Sequence, residues 1–219
     1  ATEAASAPLR LLLYGNPKVG KTEAVTNLDG CLLVDGEGNS EHLSGLKVRV
    51  RNIAELFDCI KSIKAKPNTY RYVALDSISH IEPWLEEHAT ATYRNTPIGK
   101  NFPANTSVLT LPNGGGHYYL RKSLNYFLDL FFSCNPRTII LGKVKDKYID
   151  KIDAPTGKEL FMTGQCINIV LHAVSSVGYL YRDKDSVLRV DFSTVSNNGS
   201  HVKRLAGKDI EFNWKEIYP

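Results

Sequence analysis

GNPKVGKT, at residues 15–22, fits the pattern G-x-x-x-x-G-K-[S/T] at every fixed position. The two glycines let the backbone curve so that successive N–H groups point inward, which creates a concavity that binds anions. Residues 11–14 (LLLY) come directly before it and have the composition of a short buried strand. Residues 21–28 have the pattern of a helix start. A strand, this loop and a helix in that order form the phosphate-binding P-loop of nucleotide-binding proteins.

The P-loop predicts a site for ATP and Mg²⁺. The helix that begins near Lys21 places the positive end of its dipole at the phosphates. We expect the Lys21 ammonium to contact the β- and γ-phosphates and the Thr22 hydroxyl to bind Mg²⁺. The residues predicted to bind the nucleotide are Gly15, Asn16, Pro17, Lys18, Val19, Gly20, Lys21, Thr22 and Glu23.

Two further acids are predicted to complete the site. Asp76 ends a second apolar run, residues 72–75 (YVAL), and is expected to hold Mg²⁺ through a water, as a Walker B acid does. Hydrolysis also needs a group that orients or deprotonates the attacking water. Glu37 is the first candidate, because it follows the apolar strand 31–35, and Asp35 and Glu41 are the alternatives.

The rest of the chain predicts an α/β fold. Strands at 31–35, 47–50, 72–76 and 138–141 alternate with helices at 52–65, 79–93 and 118–133, and Asn52 is expected to cap the first of these helices. This alternation is typical of a mostly parallel sheet with helices on both faces. Strands at 177–181 and 187–192 predict an antiparallel edge. We expect a flexible tail at 1–9, one domain at 10–219, and long loops at 94–117 and 143–165.

Composition excludes several classes of protein. The 219 residues carry a formal net charge of +4, which is too small for an extended nucleic-acid coat but allows a local basic groove. No apolar run is long enough for a membrane span, and no secretory signal pattern is present, so a cytoplasmic location and no membrane partner are expected. The four cysteines are expected to be free thiols, since their spacing fits no zinc site.

At these residues the sequence resembles the RecA-like ATPase core, most closely the short phage-type single-strand annealing and recombination ATPases. Residues 35–37 (DGE) resemble the Asp-x-Glu that carries the catalytic glutamate in that family, and Asp76-Ser77 resembles its Walker B strand end. The resemblance covers about residues 11–205. It implies ATP hydrolysis stimulated by single-stranded DNA, assembly into a ring or filament, and a location in the bacterial host cytoplasm. A single-strand-binding or replication protein is a further implied partner.

The resemblance also implies two DNA-binding loops, at 94–117 and 143–165. The second is rich in lysines, which neutralise phosphates, and in aromatic residues such as Phe161, which can stack on bases. Aspartates and glutamates stand among these lysines, so a solvated hairpin is the alternative interpretation. The candidate DNA-binding residues are Lys145, Lys147, Tyr148, Lys151 and Lys158.

A residue acting on a neighbouring subunit's phosphates is implied as well. The family's usual glutamine after the 138–142 strand is absent, and Lys143 stands there, so Lys143 or Lys145 is one candidate. The adjacent pair Lys203 and Arg204 is another. Two other functions remain open: a nucleotide-gated loader that acts on a protein, and a small-molecule kinase. The kinase would need a lid with arginines, for which Arg94 is the main candidate.

Overall fold

The computed structural model describes residues 7–147, 157–193 and 202–219. Within this part the strands are β1 Arg10–Gly15, β2 Cys31–Asp35, β3 Leu46–Arg49, β4 Tyr72–Asp76, β5 Thr138–Lys147, β6 Gly157–Leu160, β7 Ser176–Arg182, β8 Leu188–Asp191 and β9 Asp209–Glu211. The α-helices are α1 Lys21–Thr26, α2 Ile53–Lys64, α3 Ile78–Arg94, α4 Gly115–Phe132, α5 Cys166–Ala173 and α6 Trp214–Ile217.

These strands form one sheet in the order β3-β2-β4-β5-β1-β7-β8-β9, with β6 paired to β5 outside that path. The strands from β3 to β7 in this order are parallel, whereas β8 and β9 are antiparallel. The predicted mixed fold, with a parallel centre and an antiparallel edge near the C-terminus, is confirmed. The P-loop strand β1 lies inside the sheet, between β5 and β7.

Continuous apolar sequences place the central strands inside the protein. Every residue of β2 and β4 is buried, as expected for parallel strands that are covered on both faces. Alternate residues of β1 join different cores: Leu12 packs with the cluster under α2, α3, α4 and α5, and Leu11 packs with the cluster near α1 and α6. The candidate functional side chains therefore follow strands that are buried up to their ends.

Helix α2 begins where the sequence predicted. The Asn52 side chain accepts a hydrogen bond from the Glu55 backbone N–H at 2.9 Å, and the Glu55 carboxylate accepts one from the Arg51 N–H at 2.9 Å. These two bonds satisfy backbone donors that a helix start otherwise leaves unpaired. The buried face of α2 comprises Leu56, Phe57, Ile60 and Ile63.

Replacing Asn52 with alanine is expected to lower the free energy of unfolding by about 1 kcal/mol, because the cap to the Glu55 N–H is lost. Urea denaturation of the wild type and the variant measures the difference. Asn52→Asp is the matched control, since an aspartate can still accept that bond and should remain near the wild type. Equal midpoints for Asn52→Ala and the wild type would show that the cap contributes no stability.

Residues 95–114 are more ordered than the sequence predicted. They form three short 3₁₀ turns, and α4 begins at Gly115, earlier than expected. Helices α3 and α4 pack as an antiparallel pair, with Tyr93 against Tyr119 near one end. A Cβ on Gly116 would lie 1.9 Å from the Val108 carbonyl oxygen. The glycine therefore permits close packing inside a helix, where the sequence pattern suggested a break.

Residues 143–147 and 157–160 form strands, so the hairpin interpretation, rather than a loop, describes these parts of 143–165. Strand β5 continues to Lys147 and pairs with β6 in an antiparallel hairpin, in register from Val144 opposite Leu160 to Lys147 opposite Gly157. Apolar residues at 144 and 160 pack on the core, which continues the strand beyond the buried run that the sequence displays. Residues 148–156, which include Tyr148 and Lys151, lie outside the described residues.

Several other features were not predicted, or were predicted only in part. Helices α5 and α6 and strand β9 are short, and no apolar period identifies them in the sequence. The cysteines are free as expected, and Cys31, Cys134 and Cys166 are buried. No helix in the described ranges is long and apolar enough to cross a membrane. Residues 1–6 of the predicted tail are outside these ranges, and the Leu9 carbonyl already accepts a hydrogen bond from Thr138.

Candidate functional site

The P-loop follows β1, at the side of the sheet where the carboxyl ends of the parallel strands lie. Gly15 is required by packing, since a Cβ there would lie 2.3 Å from the Leu180 carbonyl oxygen of β7. Gly20 has a φ of +114°, in the left-handed region that favours glycine, and α1 starts at the next residue. The loop therefore has the conformation that the sequence pattern predicts.

Lys21 lies inside the curve of the loop. Its Nζ donates to the carbonyl oxygens of Gly15, at 2.9 Å, and Asn16, at 2.8 Å. Burial lowers the pKa of the ammonium, and the nearby carboxylates of Asp76 and Glu37 oppose that shift. A buried ammonium held only by carbonyl oxygens gains a full counter-charge when a phosphate enters. The side chain is placed to exchange these carbonyls for phosphate oxygens.

Thr22 and Asp76 meet across the site. The Thr22 hydroxyl donates to Asp76 Oδ2 at 2.5 Å. Burial raises the pKa of Asp76 to about 6, the Thr22 hydrogen bond opposes this rise, and the nearby carboxylates of Glu37 and Asp35 add to it. A bound cation would stabilise the charged form of this buried carboxylate, which has other carboxylates nearby. A hydroxyl and a carboxylate also supply the oxygen ligands that Mg²⁺ prefers. The two residues therefore fit the predicted metal role.

The described residues contain no cluster of three or more His, Cys, Asp or Glu side chains that would hold a metal ion by themselves. Mg²⁺ usually retains waters and binds through one or two protein oxygens together with substrate phosphates. The pair of Thr22 and Asp76 matches that mode of binding, in which the metal enters with the nucleotide.

Glu37 is held at the site by the end of the neighbouring strand. The backbone N–H groups of Gly36 and Glu37 donate to the Asp76 carbonyl oxygen, at 2.7 and 3.2 Å, which fixes the turn after β2 against the end of β4. Glu37 Oε1 accepts a hydrogen bond from the Ser77 hydroxyl at 2.5 Å and lies 3.2 Å from Lys143 Nζ. Burial raises the pKa of Glu37, but these two donors outweigh it and the net shift is downward.

The two alternatives to Glu37 occupy different surroundings. The buried carboxylate of Asp35 accepts from the Gly38 N–H at 2.5 Å and from the Ser40 hydroxyl at 2.6 Å, so it shapes the turn that carries Glu37. Glu41 is exposed. Glu37 lines a cavity together with Lys21, Thr22 and Asp76, which we call the phosphate cavity. Among the described residues that line it, Asp35 and Glu41 are absent. Of the three acids, Glu37 is the one that the structure places at the cavity.

The cavity at these residues has a volume of about 670 Å³. Its lining includes three residues that the sequence did not indicate, Asn39, His42 and Leu43, which follow the turn after β2. A second pocket, lined by Phe212 and Trp214 among others, shares Gly20 and Glu23 with the first cavity. The signal for Asn39, His42 and Leu43 was available, since residues just beyond the end of a parallel strand line sites in this class of fold.

The remaining candidates lie in different places. Lys143 lines the phosphate cavity of its own chain. Lys145 pairs with Glu159 at 3.4 Å, and Lys158 forms an ion pair with Asp146. The charges of these two lysines are thus balanced by acids, and Phe161 at the base of the hairpin is half exposed.

The late basic pair is divided. Lys203 is exposed. The Arg204 guanidinium donates to the carbonyl oxygens of Ile217, at 2.9 Å, and Glu216. Arg204 therefore has a structural contact with the C-terminal helix of its own chain, and Lys203 is the more exposed of the two.

The chain is similar to known proteins over most of its length. Residues 7–204 match the family described as AAA domain. The crystal structure of the RadB recombinase is similar in fold, with a TM-score of 0.53 and 13% sequence identity, and the alignment covers 96% of this chain and 90% of that one. No curated protein sequence matches this chain.

Proposed function

Because this chain belongs to the AAA domain family and has the RecA-like P-loop fold, we propose that it is an Mg²⁺-dependent ATPase that binds single-stranded DNA and promotes annealing or strand pairing as an oligomer. The observation that carries the proposal is the convergence of Lys21, Thr22, Asp76 and Glu37 on one cavity. The similarity in fold to the RadB recombinase supports the proposal that the protein binds DNA.

Each side chain has a distinct task in hydrolysis. Thr22 and Asp76 would hold Mg²⁺, which would neutralise charge on the β- and γ-phosphates. Lys21 and the P-loop N–H groups bind the phosphates. Glu37, with one oxygen fixed by Ser77, accepts a proton from the attacking water. The ionised carboxylate is the form that accepts a proton, and the Ser77 and Lys143 donors favour that form by lowering the pKa of Glu37.

Single-stranded DNA is proposed to bind the β5–β6 hairpin. This hairpin leaves the sheet beside the phosphate cavity, since Lys143 lines the cavity and Val144 is the first residue paired with β6. DNA bound there would lie close to Glu37. The main test is whether single-stranded DNA stimulates ATP hydrolysis. The absence of DNA binding, with and without nucleotide, would contradict this part of the proposal.

Changing Lys145, Lys147 and Lys151 together to alanine is expected to weaken binding of single-stranded DNA and to reduce the salt dependence of log K by about 2, at roughly 0.7 for each lost phosphate contact. Fluorescence anisotropy over a series of salt concentrations measures both effects. The matched control changes Lys61, Lys64 and Lys66 at the end of α2, which removes equal charge away from the hairpin. Equal losses in both triple variants would indicate a general charge effect.

One observation favours the alternative, a nucleotide-gated loader that acts on a protein partner. Lys145 and Lys158 are paired with Glu159 and Asp146, which reduces the positive charge that the hairpin offers to DNA. Mass measurement of the particle with an ATP analogue, with and without single-stranded DNA, separates the two functions. Assembly that depends on nucleotide alone would support the loader. A kinase lid receives no support from Arg94, whose guanidinium donates to the carbonyls of Pro103 and Thr106.

A further inference from the structure

Lys143 occupies a junction in the fold. Its backbone pairs with Gly15 at the start of the P-loop, in the parallel register of β1 and β5. Its N–H donates to the Ser79 hydroxyl in the first turn of α3 at 3.0 Å, and its carbonyl accepts from the Phe161 N–H at 2.8 Å. The backbone is therefore fixed by the P-loop strand, by the helix after Asp76 and by the hairpin. A side chain on such a backbone starts from a well-defined position.

The Lys143 side chain reaches the carboxylate of Glu37. Its Nζ lies 3.2 Å from Glu37 Oε1, the same oxygen that accepts the Ser77 hydroxyl bond at 2.5 Å. Two donors on one oxygen restrict rotation of the carboxylate. Within the described residues both of these contacts are to Oε1, and no donor forms a hydrogen bond to Oε2. That oxygen is left to accept a proton from a water inside the cavity.

We propose that Lys143 is a positioning residue for Glu37 of its own subunit: together with Ser77 it fixes Oε1, so that Oε2 faces the attacking water. The inference rests on the proposed ATPase function. It assigns Lys143 a role within its own chain, in contrast to the neighbour-directed role that the resemblance implies. The geometry supports the assignment because Lys143 and Glu37 line the same cavity with Lys21 and Asp76.

The central test compares Lys143→Met with Lys143→Arg. Methionine keeps the length of the side chain and removes its charge, so turnover is expected to fall roughly 10- to 100-fold through loss of orientation, with KM nearly unchanged. Arginine can still donate to Glu37 and should recover most of the activity. Lys61→Met is the matched control, since Lys61 lies 3.5 Å from Asp58 on α2, outside the cavity. Wild-type turnover in Lys143→Met would overturn the proposal.

Binding of a non-hydrolysable ATP analogue distinguishes positioning from phosphate binding. Affinity in Lys143→Met should stay within about threefold of the wild type, which corresponds to less than 1 kcal/mol. A loss of tenfold or more would make Lys143 a ligand of the nucleotide and would refute the positioning role.

Mixing two impaired variants distinguishes action within a subunit from action across an interface. If Lys143 serves its own Glu37, a mixture of Lys143→Met and Glu37→Gln subunits contains no complete site, and its turnover stays at the sum of the two residual activities. If it serves a neighbour, the Glu37 of one variant meets the Lys143 of the other, and activity recovers. Recovery of turnover in the mixture would overturn the assignment.

Failure of the proposed function has a different signature. A wild-type protein that binds the analogue and shows no turnover, with or without DNA, would contradict the ATPase function itself. In that case a double-mutant cycle in urea denaturation still tests the contact. The changes in the free energy of unfolding caused by Lys143→Met and by Glu37→Gln should not add up to the change in the double variant. Additive changes would show that the two side chains do not interact.

Discussion

Replacing Lys21 with alanine is expected to eliminate nucleotide binding at ordinary ATP concentrations. The variant loses an ammonium that is placed to make charge-assisted hydrogen bonds to the β- and γ-phosphates, each worth about 1.5–3 kcal/mol. Loss of two such bonds corresponds to a decrease in affinity of about 10²–10⁴. Isothermal titration with a non-hydrolysable ATP analogue and Mg²⁺ measures the decrease directly. Turnover should fall with binding.

Folding of the Lys21 variant needs its own measurement, because Lys21 also donates to Gly15 and Asn16 in the nucleotide-free protein. Lys21→Met separates the loss of the ammonium from the loss of side-chain length. Burial lowers the pKa of Lys21, so the charged form is disfavoured in the folded state, and an uncharged side chain of similar length removes that penalty. We expect the free energy of unfolding of Lys21→Met without nucleotide to equal or exceed that of the wild type. Nucleotide should no longer increase it.

The control for Lys21 is Lys122→Ala, an exposed lysine on α4. It should bind the analogue with wild-type affinity and be stabilised by it, by about 2.7 kcal/mol at a ligand concentration one hundred times Kd. Wild-type affinity in Lys21→Ala would refute the P-loop assignment. Loss of affinity in both variants would point to a global effect of charge.

Local signals explain what the sequence could predict. The P-loop is contiguous, with its strand before it and its helix after it, so one short stretch specifies phosphate binding. Asp76 ends an apolar run, and the carboxyl ends of parallel strands meet at one edge of a sheet, which brings Asp76 to Thr22. The cap at Asn52 is also local, since its partner Glu55 lies in the next turn. The signal for each of these features lies in a short stretch of sequence, even where the contact itself, as between Thr22 and Asp76, is long-range.

Long-range contacts explain what it could not. The contact of Lys143 with Glu37 depends on β5 and β2 lying on either side of β4, an order that no local pattern specifies. Glycines at the start of α4 resembled a loop because the packing of Val108 against Gly116 is invisible in the sequence. The continuation of β5 into the hairpin depends on pairing with β6. In each case a tertiary contact overrides the local preference.

Replacing Glu37 with glutamine is expected to leave ATP binding intact and to stop turnover. The amide oxygen can still accept the Ser77 hydroxyl bond, so the turn after β2 keeps its contact with the end of β4. The amide cannot accept a proton from water at neutral pH. Loss of a general base costs about 10²–10⁴ in rate, and single-turnover measurement of phosphate release, with analogue affinity measured in parallel, records the two effects separately.

Glu41→Gln makes the same chemical change at an exposed position outside the cavity and should keep wild-type turnover. Normal turnover in Glu37→Gln would instead transfer the role to Asp35 or Glu41, and of these Asp35 is already engaged with Gly38 and Ser40. If ATP controls assembly, Glu37→Gln should also remain in the ATP-bound assembled state, because binding persists and hydrolysis does not. A particle that disassembles in ATP at the wild-type rate would show that disassembly does not depend on hydrolysis at Glu37.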